Sequence, residues 1–145
     1  MTSIALMGAG GKMGCRIIDH LHRHPDYRLR CVEVSPAGLA QLARRGLDPT
    51  PVDEALAGVD AVILALPDLV LGKVAQQVVP LVKPGCLVVT LDPAAAHAGC
   101  LPARSDISYF VTHPCHPSVF EYEENPRPGP IFLAAPKRAS RSFAR

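Results

Sequence analysis

No apolar run in this sequence approaches the roughly 18 residues that a membrane helix needs. The first residues also lack the basic region and long apolar core of a secretory signal. A spanning segment and a cleaved leader are therefore not expected. Cysteine pairing is missing as well. Cys15, Cys31, Cys86, Cys100 and Cys115 are scattered with no Cys-x-x-Cys spacing, and an odd count fits reduced thiols in the cytoplasm. Cys31 and Cys86 fall in strand-like runs and read as small core residues. Nor is there an excess of positive charge over the main body. Residues 1–125 hold ten Lys and Arg against thirteen Asp and Glu, a net of −3, which gives no reason to expect a nucleic-acid partner. The last twenty residues reverse this, with five basic residues and no acid, and read as a solvated tail. Internal repeats and low-complexity tracts are absent too.

What is present is a chain of 145 residues, 48% apolar, enough for one domain with a packed core. Residues 3–8 (SIALMG) form a short apolar run ending in glycine and predict a buried strand. A helix is expected from about Gly11 to His24, with Met13, Ile17, Ile18 and Leu21 on one face. Residues 27–34 predict a second strand. Ser35 then has the form of an N-cap, Pro36 lies in the first helical turn, and Gly46 closes that helix. Residues 59–68 (VDAVILALPD) hold a third strand. The next helix, from about Leu69 to Val79, carries Val70, Val74 and Val78 at i, i+4 and i+8. Residues 86–91 and 107–112 predict two further strands. Apolar strands alternating with helices imply an α/β fold: a Rossmann-type, doubly wound parallel sheet covered on both faces, over residues 1–120. Residues 121–145, with four prolines between 126 and 136, are expected to be an irregular tail.

The first strand feeds the first helix through GAGGKMG (8–14). Glycines in such a turn permit a tight bend, close approach of backbone N–H groups to a pyrophosphate, and close packing of helix on strand. Gly8, Gly11 and Gly14 fit one variant of the dinucleotide spacing; Gly8, Gly10 and Gly14 fit another. With Lys12 and Met13 between them, these residues are the expected cofactor contact. Glu33 lies 25 positions after Gly8, at the end of the second strand. A carboxylate there can accept from both adenosine ribose hydroxyls and repels a 2′-phosphate, so NAD is expected over NADP. Arg44 and Arg45 are the candidates for reversing that preference. Pro67 and Asp68, at the end of the third strand, should border the nicotinamide half, though Asp68 is better explained as a helix N-cap. Asp92 occupies a comparable strand end and reads as structural as readily as functional.

Four stretches, IALMGAGGKMG (4–14), VDAVILALPD (59–68), VVPLVKPGCLVV (78–89) and YFVTHPCHP (109–117), together resemble the N-terminal domain of NAD-dependent oxidoreductases related to 6-phosphogluconate and 3-hydroxyacid dehydrogenases. The likeness is closest to bacterial oxidoisomerases of sugar acids and covers about residues 3–120. It implies NAD-dependent oxidation of a hydroxyl on a small branched sugar acid, with rearrangement to a 3-oxo acid. It also implies a helical C-terminal domain that completes the substrate site and usually a homodimer. The last twenty residues do not resemble that domain, so a truncation or frameshift is expected, and with it no dimer of the family kind.

His113 and His116 follow the last strand in VTHPCHPS (111–118), at the sheet edge where nicotinamide should lie. Either imidazole could take the hydroxyl proton as hydride leaves, and His113 is the candidate base. One or both could instead hold a divalent metal such as zinc, with His116 the candidate ligand. Cys115 as a nucleophile is disfavoured, because hydride transfer needs no covalent intermediate. The plain alternative is two loop histidines stiffened by prolines. A second functional reading, a dinucleotide-binding module without catalysis, stays open beside the enzyme.

Overall fold

The computed structural model describes residues 1–113. Five strands, β1 (Thr2–Met7), β2 (Tyr27–Val32), β3 (Ala61–Leu64), β4 (Leu87–Thr90) and β5 (Ser108–Val111), form one sheet in the order β2-β1-β3-β4-β5. Every pairing is parallel. The connections carry α1 (Lys12–Leu21), α2 (Pro36–Arg44), α3 (Val52–Leu56), α4 (Asp68–Val78) and α5 (Ala94–His97), with a 3-10 turn at Val79–Leu81 after α4. This is a Rossmann-type sheet, as the sequence pattern predicts. From β1 the chain goes out to β2 on one side and then crosses to β3 on the other, so the strand order reverses between β1 and β3.

Side chains alternate across the strands and feed two cores. Leu6 and Cys31 face α1 and α2, packing with Ala9, Ile18 and Leu42. Ala5, Met7, Val62, Leu64 and Val88 face the other way, onto Leu56 of α3, Leu71, Ala75 and Val78 of α4, and Ala95 of α5. Both faces are thus covered, which is why the strands carry few polar residues.

Several boundaries differ from the sequence expectation. β1 ends at Met7 because Gly8 adopts φ +73°, outside the extended region. The first helix stops at Leu21, three residues short of His24. β2 stops at Val32, two residues short of Val34. On α4 the buried residues are Leu71, Ala75 and Val78, while Val70 is exposed, so the apolar stripe is rotated from the valine series read in the sequence. The short helices α3 and α5 are additions. At five residues α3 is too short to hold itself. The Arg30 guanidinium secures it, donating to the carbonyls of Glu54 (2.8 Å), Ala55 (3.2 Å) and Ala57 (2.8 Å). The α2 boundaries follow the reading closely: the Ser35 hydroxyl accepts from the Gly38 N–H at 3.1 Å, and Gly46 turns with φ +69° just beyond the helix.

At the amino edge of the sheet, Asp60 ties β1 to the start of β3. It accepts from the Ser3 N–H and hydroxyl, each at 2.8 Å, and from Lys83 Nζ at 2.6 Å. The Lys83 ammonium and the Ser3 donors hold its carboxyl well below the usual range.

Candidate dinucleotide-binding site

The strand register aligns Met7 with Val32 and Leu64, Leu64 with Thr90, and Thr90 with Val111. The next residue of each strand, namely Gly8, Glu33, Ala65, Leu91 and Thr112, therefore stands in one row along the carboxyl edge. In open parallel sheets ligands bind along this edge, at the point where strand order reverses. That point is the crevice between the ends of β1 and β3.

Steric contacts explain the glycines individually. A Cβ on Gly8 would lie 2.5 Å from the Ala65 carbonyl oxygen, on Gly10 2.2 Å from the Gly38 oxygen, and on Gly14 2.3 Å from the Gly8 oxygen. All three are backbone atoms that cannot move aside. At Gly11 the nearest atom would be 3.2 Å away, and Gly11 is the N-cap of α1 with ordinary φ −71°. Of the two spacings compatible with the sequence, Gly8, Gly10 and Gly14 are the sterically required set. Each packs against a different neighbour: the β3 end, α2, and the turn itself.

The hydrogen bonds of the turn are largely internal. The N–H groups of Gly8 (3.0 Å) and Ala9 (3.1 Å) donate to the Val32 carbonyl, and that of Gly11 donates to the Gly8 carbonyl at 3.0 Å. The Gly10 N–H donates to Glu33 Oε2 at 2.8 Å. What remains for a ligand is the first turn of α1. There the N–H groups of Lys12 and Met13 have no intrahelical acceptor, no side chain caps them, and no acidic residue competes.

Glu33 is the most heavily bonded side chain of the edge. Besides Gly10, its other oxygen Oε1 accepts from the N–H groups of Val34 and Ser35 and from the Ser35 hydroxyl, each at 2.9 Å. Partial burial pushes its carboxyl up, but the donors from Ser35, Val34 and Gly10 outweigh this and leave it below its ordinary value. It is therefore a fixed anion beside the crevice. Gly38 leaves room for it, since a Cβ there would lie 2.3 Å from the Glu33 carboxyl carbon. Arg45 is committed elsewhere: its guanidinium pairs with Asp19 on α1 at 3.0 Å and also bonds Gln41.

Beside Glu33 a cleft of about 270 Å³ opens between the ends of β1 and β2 and helix α4. Its walls include Gly8, Val34, Leu66, Val74, Gln77 and Leu81. Apart from Gly8, no sequence motif marks these residues as candidate cofactor contacts. The sequence marks Val34 only by its place directly after Glu33; that it is 83% exposed is visible in the structure alone. Pro67 and Asp68 flank the crevice differently from expectation. Pro67 holds the N-cap position of α4, and Asp68 is the first helical residue with no capping bond. Asp68 opens instead onto a second, shallower groove between α4 and α5.

At the far end of the edge, His113 follows β5 with its side chain 70% exposed. Its Nδ1 lies 3.7 Å from Asp92 Oδ2, while Asp92 Oδ1 accepts from the Ala94 N–H at 2.7 Å. Three strand spacings, roughly 14 Å, separate β1 from β5. Cys115 and His116 lie outside the described residues. Among the described residues no cluster of three His, Cys, Asp or Glu could hold a metal ion, so Asp92 and His113 do not form a metal site by themselves.

No family model matches the chain. It is 54% identical over 124 residues to the D-apionate oxidoisomerase of Rhizobium rhizogenes, covering 85% of this chain and 45% of that protein. It is 51% identical to the D-apionate oxidoisomerase of Cupriavidus necator, with the same coverage. The chain is homologous to the N-terminal part of D-apionate oxidoisomerases. It spans about half the length of these curated relatives. Among solved structures, a semialdehyde dehydrogenase NAD-binding protein from Cupriavidus necator, in complex with calcium and NAD, superposes with TM-score 0.79 at 50% identity. That match covers 87% of this chain and 46% of the other. An NADH-preferring ketol-acid reductoisomerase from an uncultured archaean shares the fold alone, with TM-score 0.65 at 21% identity over 80% of this chain and 37% of the other.

Proposed function

We propose that residues 1–120 are the NAD-binding domain of an oxidoreductase that acts as its D-apionate oxidoisomerase relatives are named to act, on a small branched sugar acid in the cytoplasm. The reaction in this reading oxidises a hydroxyl and rearranges the skeleton to a 3-oxo acid. Residues 121–145 stand outside this domain. The observation that carries the reading is the crevice between β1 and β3, where a glycine turn, an uncapped helix start, a fixed carboxylate and an apolar cleft converge.

The parts fit a dinucleotide in order along the edge. The first-turn N–H groups of Lys12 and Met13 receive the pyrophosphate, with Gly8, Gly10, Gly11 and Gly14 allowing its approach. Glu33 accepts from the adenosine ribose hydroxyls, and the cleft walled by Val34, Leu66 and Val74 takes the adenine. The same carboxylate repels a 2′-phosphate, and Arg45, held by Asp19, does not compensate. Pro67, at the N-cap of α4, borders the passage toward the nicotinamide half, and Asp68 opens onto the adjoining α4–α5 groove.

Oxidation removes a hydride from the carbinol carbon and a proton from its oxygen. NAD, when bound, supplies the hydride acceptor. His113 takes the proton, from the end of β5. A divalent cation on His116 belongs to the same reading, and zinc binding that His116→Ala abolishes is the result expected of it.

Calorimetric titration of NAD and NADP into the wild-type chain and Glu33→Ala tests the cofactor assignment. NAD should bind at least about tenfold more tightly than NADP to wild type, a margin of about 1.4 kcal/mol, and Glu33→Ala should narrow it. Tighter NADP binding by wild type overturns the assignment. NAD reduction with branched sugar acids tests the chemistry separately. Intact NAD binding with no reduction by this chain would favour a dinucleotide-binding module without catalysis of its own.

A further inference from the structure

Asp92 is not absorbed by the cofactor crevice, yet it is the carboxylate beside the candidate base. Its two oxygens have separate tasks. Oδ1 accepts from the Ala94 N–H at 2.7 Å, which fixes the side chain at the start of α5. Oδ2 is thereby aimed along the edge at His113 Nδ1, 3.7 Å away. The register explains the meeting. Thr90 pairs with Val111, so Asp92 and His113 each follow a paired residue by two positions on adjacent parallel strands. Asp92 is itself largely enclosed, with 27% side-chain exposure against 70% for the imidazole, so the carboxylate is the anchored member and the ring the more exposed one.

We propose that Asp92 is a positioning residue for His113, holding the neutral imidazole as the tautomer protonated on Nδ1. An ionised carboxylate is an acceptor only, so the ring nitrogen facing it must carry the hydrogen. Nε2, on the opposite side of the ring, then carries the lone pair, which is the form a general base needs. At 3.7 Å the contact is electrostatic. Closing it by roughly 0.8 Å gives an ordinary N–H···O bond, and such bonds are often long before a ligand is in place. The inference deepens the reading of His113 as the base and rests on it for its use, but the tautomer itself can be observed without turnover.

The test is a long-range 1H–15N correlation of the imidazoles in the uniformly 15N-labelled 145-residue chain, at a pH where His113 is neutral. Wild type should show His113 mainly as the Nδ1–H form. Asp92→Asn keeps a side-chain acceptor for the Ala94 N–H but presents an NH₂ donor to the ring. It should shift His113 to mainly Nε2–H, with the backbone amides of β4 unmoved. Asp92→Ala should likewise lose the Nδ1–H preference. A wild-type His113 that is mainly Nε2–H, or a population unchanged in both variants, overturns the proposal. NAD titrated into the same samples and followed at the Lys12 and Met13 amides reports on the cofactor reading independently.

Discussion

The two ends of the carboxyl edge are built differently. At the β1–β2 end, Glu33, Gly10, Ser35 and Gly38 close a ring of hydrogen bonds and backbone contacts, and the glycine turn returns four of its N–H groups, those of Gly8, Ala9, Gly10 and Gly11, to the protein. At the β4–β5 end, His113 is mostly exposed and meets Asp92 at 3.7 Å, and the buried Thr90 hydroxyl has no hydrogen-bond partner among the described residues. The first end is preorganised from its own parts. The second is more open to solvent. Under the proposed reading the first end suits a cofactor site, because rigid donors need no rearrangement on binding, and the second leaves the proposed base open to exchange a proton.

The sharpest way to break this contrast is Gly10→Ala. Its Cβ would meet the Gly38 backbone at 2.2 Å, so α2 must shift and Glu33 loses its seat. A loss of about 3 kcal/mol in urea unfolding is expected, with NAD binding reduced more than about tenfold. An unchanged midpoint would show that the turn is slack after all. Glu33→Gln comes next, costing about 1 kcal/mol once the partial exposure of the site is allowed for. Its pH dependence has a definite sign. Because the folded carboxyl lies below its ordinary value, its contribution is complete above the usual glutamate range and fades as pH falls through the folded value. Unfolding curves from pH 7 down to pH 3 should therefore fall more steeply for wild type than for Glu33→Gln.

At the other end Thr90→Val replaces an unbonded buried hydroxyl by a methyl of similar shape. A gain of about 1 kcal/mol is expected, and a loss would reveal a partner for that hydroxyl. The smallest effect belongs to Arg45→Ala. With its guanidinium turned to Asp19, the NAD-to-NADP binding ratio should change by less than about twofold.

The alternation of strand and helix was legible because each long element carries its own period and punctuation: Ser35 and Pro36 open α2, Gly46 ends it, and Gly8 ends β1. The helices α3 and α5 were not legible. Segments of five and four residues have no period to detect, and Arg30, whose Nη1 donates to the carbonyls at the end of α3, comes from β2. The glycine turn could be located but not resolved into required and tolerant positions, since that depends on Ala65 and Gly38, far away in sequence. The cleft walls were missed for the same reason: Val34, Leu66 and Val74 come from three separate segments. Asp92 and His113 were both visible as strand-end residues, but their pairing depends on the β4–β5 register, which no local pattern encodes.

The contact between Gly10 and Gly38 has a consequence for how this sequence can vary. Position 38 cannot take a side chain while Glu33 keeps its carboxylate where it is, and position 10 cannot take one while α2 starts where it does. Positions 10, 33 and 38 are thus coupled as one heritable unit, and single changes within it are expected to be strongly epistatic. Redesign toward a phosphorylated dinucleotide would have to replace the β2–α2 junction as a block, because an arginine substituted at Glu33 alone would leave the Gly10 N–H without its acceptor and meet the same wall of backbone.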